Sequence, residues 1–352
     1  MIDVALTDRR AAVATRTSLP PAGPVWFSAV MGTALLATLL GRAPALLVPA
    51  AALLALAVVL LLGLSGAFLT RVARDRAVFT ATLRDAAVLP TWGTVAMGVL
   101  AVGSAVLTIA PRLGVGTAWA VGLDAVLWTV GTVLGVVTAF GFAAVLVRRD
   151  LGHPVPAWGL AMVPPMVSAT TGAALLPHVS AQLALLVVVL ACFFLALFLG
   201  VLIFAITYRH HWRVAPLPIA ASTSAWIPLG MVGQSAAAAQ VMATHGGALL
   251  AAPAAAHTLA DAYGYAMLAV SVPVVAYAVR MTVRGFRARM PFSPGWWALT
   301  FPIGTLALGS LLLGQATDDA VISAVGVAAV VTMTGTWTLC AVATVRAVFR
   351  RS

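Results

Sequence analysis

The chain has no lysine and no glutamate; its 20 basic residues are all arginine and its nine acids all aspartate. Charged residues make up 8% of the 352 positions, against about 25% in soluble domains. That scarcity excludes a soluble fold, because 62% of the residues are hydrophobic and no single core of this length could bury them. Cysteine is nearly missing. Cys192 and Cys340 each sit inside an apolar run, with no second Cys or His at ligand spacing. A disulfide framework and a metal site are thereby excluded. Catalytic signatures are missing as well: no nucleophile elbow, phosphate loop or metal-ligand spacing is found. His210 and His211 lie beside Tyr208, Arg209 and Trp212 and read as a basic interfacial turn. An enzyme is the alternative from a different class; no cofactor is called for. The formal charge of +11 suggests nucleic acid. The arginines are scattered over six segments rather than gathered in one patch, which argues against it.

What the chain does have is long apolar runs. Ten candidate spans lie near 25–41, 45–69, 88–110, 118–147, 157–176, 181–207, 217–242, 258–279, 293–313 and 320–345. Each approaches the roughly 20 residues that cross a bilayer. Backbone groups in hydrocarbon must be paired within the segment, so the spans are read as helices. With both termini placed inside, 18 of the 20 arginines fall on the cytoplasmic side, and only Arg42 and Arg112 fall outside. Positive charge is retained on the cytoplasmic side during insertion, which fixes this threading. Residues 1–19 and 348–352 are expected to be cytoplasmic tails around a single ten-helix domain, 20–347. The arginines then anchor topology and meet the anionic lipid of the inner leaflet.

A short motif recurs. Pro24-Val25-Trp26, Pro90-Thr91-Trp92 and Pro156-Ala157-Trp158 open the first, third and fifth spans, 66 residues apart. Pro216 opens the seventh without a tryptophan, and Pro294-Gly295-Trp296 opens the ninth. A fixed period marks a repeated unit, here a hairpin of one odd and one even span used five times. Proline suits a helix start, where its missing N–H is an orphan anyway. The odd spans carry the helix breakers Pro164-Pro165, Pro228 and Pro302, together with small and hydroxyl residues such as Ser28, Gly32, Thr33, Gly98, Ser168 and Gly230. Polar or broken backbone at membrane depth is tolerated where it lines a cavity or packs on protein. The odd spans are therefore expected inside and the uniformly aliphatic even spans against lipid. Tight packing of helices by small residues is the competing explanation.

Titratable groups avoid the middle of every span. Asp124 and Asp261 fall in the outer third of the fourth and eighth spans, and all six histidines lie in loops or at span ends. A cation pathway would want a carboxylate ring and a fixed-charge anion site would want an arginine. Neutral walls with helix termini and a basic inner vestibule favour weakly held anions instead. Asp124 and Asp261 stay open as sites of a proton step or as hydrogen-bonding groups near the outer interface.

Four stretches carry a resemblance: Pro24–Thr33, Trp158–Pro165, Trp226–Gln234 with Ile227-Pro228-Leu229-Gly230, and Pro291–Gly304 with Trp296-Trp297 and Thr300-Phe301-Pro302. Together they resemble the tellurite-resistance/dicarboxylate transporter family, which takes in TehA, malate permeases, sulfite exporters and plant slow anion channels. The resemblance implies an all-α integral membrane protein, with ten transmembrane helices as five hairpins in quasi-fivefold order around a central pore. It further implies a homo-oligomer, often a trimer, in the cell membrane, moving small anions such as malate-like dicarboxylates, sulfite or inorganic anions. In that family a phenylalanine on the ninth helix blocks the pore, and the matching residue is Phe301. The pore lining expected around it is Ser28, Gly32, Thr33, Gly98, Pro164, Ser168, Pro228, Gly230, Gln234 and Pro302. Gln234 is open between donating to an anion and bridging helices. The alternative mechanism is a proton-coupled carrier of an organic anion or oxyanion that uses Asp124 or Asp261.

Overall fold

The computed structural model describes residues 19–349, all of whose regular elements are helical. Arg9, Arg10, Arg16, Arg350 and Arg351, and the tail assignments that rest on them, lie outside those residues. The α-helices run α1 Phe27–Gly41, α2 Leu47–Arg74, α3 Ala77–Arg84, α4 Trp92–Ile109, α5 Thr117–Arg148, α6 Pro164–Leu175, α7 Gln182–Arg213, α8 Ile227–Gly246, α9 Pro253–Arg287, α10 Phe301–Ala316 and α11 Ala320–Phe349.

Two populations separate by length and burial. Helices α2, α5, α7, α9 and α11 hold 28–35 residues, or about 42–52 Å at 1.5 Å per residue, longer than a hydrocarbon core. Their most apolar stretches are only 11–39% buried, so their aliphatic faces point outward. Helices α1, α4, α6, α8 and α10 are shorter, 12–20 residues. Four of these five, with the turns that precede them, are 72–89% buried. Each short helix packs against the long helix that follows it. The short helices also contact one another in the order α1, α4, α6, α8, α10 and back to α1, which closes a ring.

Every short helix begins with a 3-10 lead-in: Pro24–Trp26, Leu89–Thr91, Pro156–Ala161, Ile219–Trp226 and Pro294–Leu299. The prolines expected to bend continuous helices sit instead at the junctions. Pro164 and Pro165 open α6, while Pro228 and Pro302 are the second residues of α8 and α10. No intrahelical hydrogen bond is lost there, because the N–H groups of a helix's first turn have no partner within the helix. Pro273 stands well inside a helix, the outer helix α9. Trp226 and Trp297 each donate their indole N–H to a threonine on the following outer helix, Thr282 at 2.8 Å and Thr344 at 3.1 Å. The repeat tryptophans Trp26 and Trp92 donate elsewhere, to the carbonyl of Pro20 at 3.0 Å and the hydroxyl of Thr82 at 3.1 Å.

Nine of the described helices are long and apolar enough to cross a membrane. Helix α8 is the long helix left out. It carries Gln234, Ser235, Gln240, Thr244 and His245 among alanines. Its polarity is accommodated by protein, since it packs against α6, α7, α9 and α10. The approach to α10 is close: a Cβ at Gly233 would sit 2.4 Å from the amide nitrogen of Leu306.

Candidate functional site

A cavity of about 320 Å³ lies where the five lead-ins meet. All five hairpins contribute to its wall, and the residues fall on one spacing. The first gives Val25, Ser28 and Met31; the second Thr91, Thr94 and Met97; the third Ala157, Leu160 and Val163. The fourth gives Ser224, Ile227 and Gly230, and the fifth Gly295, Ala298 and Phe301. Within each hairpin the steps are i, i+3 and i+6, the side-chain spacing of one face of a 3-10 or α-helical segment. Between the first three hairpins the offset is the 66 residues of the Pro-x-Trp repeat. The wall is therefore three tiers of five. The innermost is Met31, Met97, Val163, Gly230 and Phe301.

Phe301 is the first residue of α10 and is 3% exposed. Its position follows from the junction beneath it. Thr300 takes its own N–H and hydroxyl back to the carbonyl of Trp297, at 3.1 and 2.7 Å, which ends the lead-in. The carbonyl of Thr300 then accepts from Gly304 at 3.0 Å, which starts the α-helix. Gly32 leaves room for this turn, because a Cβ there would come within 2.2 Å of the Thr300 hydroxyl. Gly230 faces Pro302, whose Cγ would be 3.7 Å from an added Cβ. The fourth hairpin thus contributes no side chain to the tier in which Phe301 is the one aromatic.

Among the described residues, no charged side chain borders the cavity. Its polar groups are hydroxyls, and these donate to carbonyls of the lead-ins. Ser28 donates to Val25 at 2.8 Å, Thr94 to Pro24 at 2.8 Å, Thr223 to Gly295 at 3.0 Å and Ser224 to Ala221 at 2.7 Å. These bonds serve carbonyls at the change from 3-10 to α geometry and tie neighbouring hairpins together. Positive potential comes from two other sources. The N-termini of the five inner helices open around the cavity, each with an effective charge of about half a unit. Arg71 and Arg284 reach from α2 and α9 to the carbonyls of Ala22 and Leu217, just ahead of two lead-ins.

Of the residues singled out in the sequence, Ser28, Gly230, Phe301 and Pro302 border this cavity. The others stand elsewhere in the ring. Gly98 lies against Val30 and the carbonyl of Phe27, and Pro164 lies against Gly93 and Gly135. Pro228 is buried at the start of α8. Ser168 donates back to Pro164 at 3.2 Å, and its own carbonyl accepts from Trp128 at 2.9 Å. Thr33 accepts from the indole of Trp337 at 2.9 Å and borders an apolar recess between α1, α2 and α11. Gln234 donates to the Thr170 hydroxyl at 2.9 Å, a bridge from α8 to α6. Asp261 accepts from Gln240 at 3.0 Å. Asp124 is 1% exposed beside Gly103, and among the described residues neither carboxyl oxygen has a hydrogen-bond partner. Met31, Met97 and Val163 were missed. A count of seven from each repeat proline, Pro24, Pro90, Pro156 and Pro294, lands on these three and on Phe301.

The sequence profile of the SLAC1 family, described as voltage-dependent anion channel, matches residues 22–345. A sulfite efflux pump, SSU1 of Arthroderma otae, is 24% identical over 332 residues, covering 90% of this chain and 88% of the relative.

Proposed function

Because the chain belongs to the SLAC1 family of anion channels, we propose that its five-helix ring conducts small anions across the membrane and that the innermost tier is its closed gate. All ten long and short helices then cross the bilayer, α8 included, with both ends of the chain cytoplasmic and the cavity opening inward. One observation carries the reading: each of five hairpins places a residue of the same repeat position at one level, and Phe301 is the aromatic that fills it. A narrow apolar constriction stops ions by shedding water, without a fixed charge. Below the gate, helix N-termini hold anions loosely, and hydroxyls that now serve carbonyls can rotate toward a passing anion. Weak holding suits rapid passage.

The similarity to a sulfite efflux pump makes sulfite the first substrate to test, with malate-like dicarboxylates and inorganic anions next. A cavity of about 320 Å³ accommodates each of them. The same reading expects a homo-oligomer, a trimer by family resemblance, joined through the outer helices. The test is Phe301→Ala in proteoliposomes. Anion flux is expected to rise about tenfold, equivalent to about 1.4 kcal/mol off the barrier. Unchanged flux through folded protein would remove the gate assignment.

A second reading, a proton-coupled carrier, draws on Asp124, whose buried carboxyl has no partner. Asp124→Asn separates the two. The channel keeps its flux and shows no new pH dependence in a stopped-flow pH assay; a coupled carrier loses the accompanying proton movement.

A further inference from the structure

The two arginines that break the inside bias of all the others are brought together by the fold. Arg42 caps the C-terminal end of α1, and Arg112 follows the end of α4. These ends touch, since a Cβ at Gly41 would lie 2.7 Å from Cγ1 of Ile109. Arg112 donates through Nη1 to the carbonyl of Gly41, the residue before Arg42. Arg42 donates through Nη2 to Oε1 of Gln315 at 3.2 Å, on the last turn of α10. The three residues therefore sit at the outer ends of α10, α1 and α4, three consecutive members of the ring.

Two like charges side by side repel unless something lies between them. Among the described residues neither guanidinium has a carboxylate partner. The nearby Asp319 is occupied: Oδ1 accepts from the N–H groups of Val321 and Ile322, and Oδ2 from the Tyr265 hydroxyl. Burial, and then the neighbouring Arg112, hold the Arg42 guanidinium below its usual value. The inner helices make this end of the ring the unfavourable one for an anion. Their five N-termini converge on the inner cavity, so their negative C-terminal ends gather here.

We propose that Arg42 and Arg112 form an anion-binding site on the outer rim of the ring, taking a small dissolved halide or oxyanion as it enters or leaves. The proposal rests on the reading that the ring conducts anions. Membrane patches from cells producing the full chain give the test, with outer chloride, then sulfite, varied at constant inner anion. Each charge removed by Arg42→Gln or Arg112→Gln should raise the half-saturating outer concentration about fivefold, the factor for one unit charge at contact distance in water. Inner-side saturation should stay unchanged, and the Arg→Lys pair should keep most of the outer affinity. If the double Gln variant does not fold, Arg112→Cys treated from outside replaces it: a cationic thiol reagent should restore affinity and an anionic one lower it further. Unchanged outer affinity in the double variant, or equal effects of the two reagents, would reduce the pair to helix caps and overturn the site. The same measurement in neutral phosphatidylcholine vesicles separates a dissolved anion from a lipid headgroup; an effect confined to vesicles with anionic lipid also overturns it. Absence of anion current in the native protein would instead sink the conduction reading itself.

Discussion

At the scale of single residues, the proposed gate pairs one large side chain with one missing side chain. Phe301 and Gly230 occupy the same repeat position on neighbouring hairpins. Only because Gly230 contributes no side chain can an aromatic ring share that level with Met31, Met97 and Val163. The pair is expected to be exchangeable. Gly230→Leu placed on Phe301→Ala should return flux to within about twofold of the native level, measured in the same proteoliposome assay; persistence of the full gain would detach Gly230 from the constriction. The added Cβ meets Pro302 at an ordinary 3.7 Å, so the first carbon of the new side chain fits. Phe301 was legible in the sequence only through its resemblance to a family. Its partners were not, because two methionines and a valine in an apolar run look like any core. What distinguished them was a count from the repeat proline, not their chemistry.

Among the elements, the information lies at the joints. Proline, serine and threonine in the odd spans marked those spans as inner, and those helices are the buried ones, although the outer helix α11 also carries Ser323 and five threonines. The same residues did not reveal that each inner span is two pieces, a 3-10 lead-in and an α-helix. Hydropathy averages over such a joint, whereas the joint itself depends on which carbonyl a hydroxyl answers. Thr94 to Pro24 and Thr223 to Gly295 are bonds between hairpins that no local pattern encodes. Gln234 is a like case: its amide meets Thr170, 64 positions away. Helix pairs are held as closely as their glycines allow. Gly233→Ala pushes a methyl into the backbone of Leu306 and must separate α8 from α10. We expect a loss of about 1–3 kcal/mol, as for other overpacked contacts, read as a lower unfolding midpoint in detergent. An unshifted midpoint would mean that the ring is looser at this contact than described.

For the molecule as a whole, the all-helical, apolar class was visible early, since composition is a global quantity. The repeat period then set the number of units. The outer helices followed from their aliphatic faces, while α8 did not meet the apolar standard of the other nine because its surroundings are other helices. That dependence reaches into how the chain is made. A ribosome delivers the fourth hairpin before the fifth exists, so α8 lacks its closely packed neighbour α10 at first, with only Thr170 and Asp261 already in place to answer Gln234 and Gln240. Lateral release of this segment from the insertion machinery must therefore wait for later parts of the nascent chain. A truncation ending after Arg287 is expected to show α8 partly outside the bilayer by glycosylation mapping, and extension through Ala316 to bring it in. Full insertion of the truncated chain would show that α8 needs no escort.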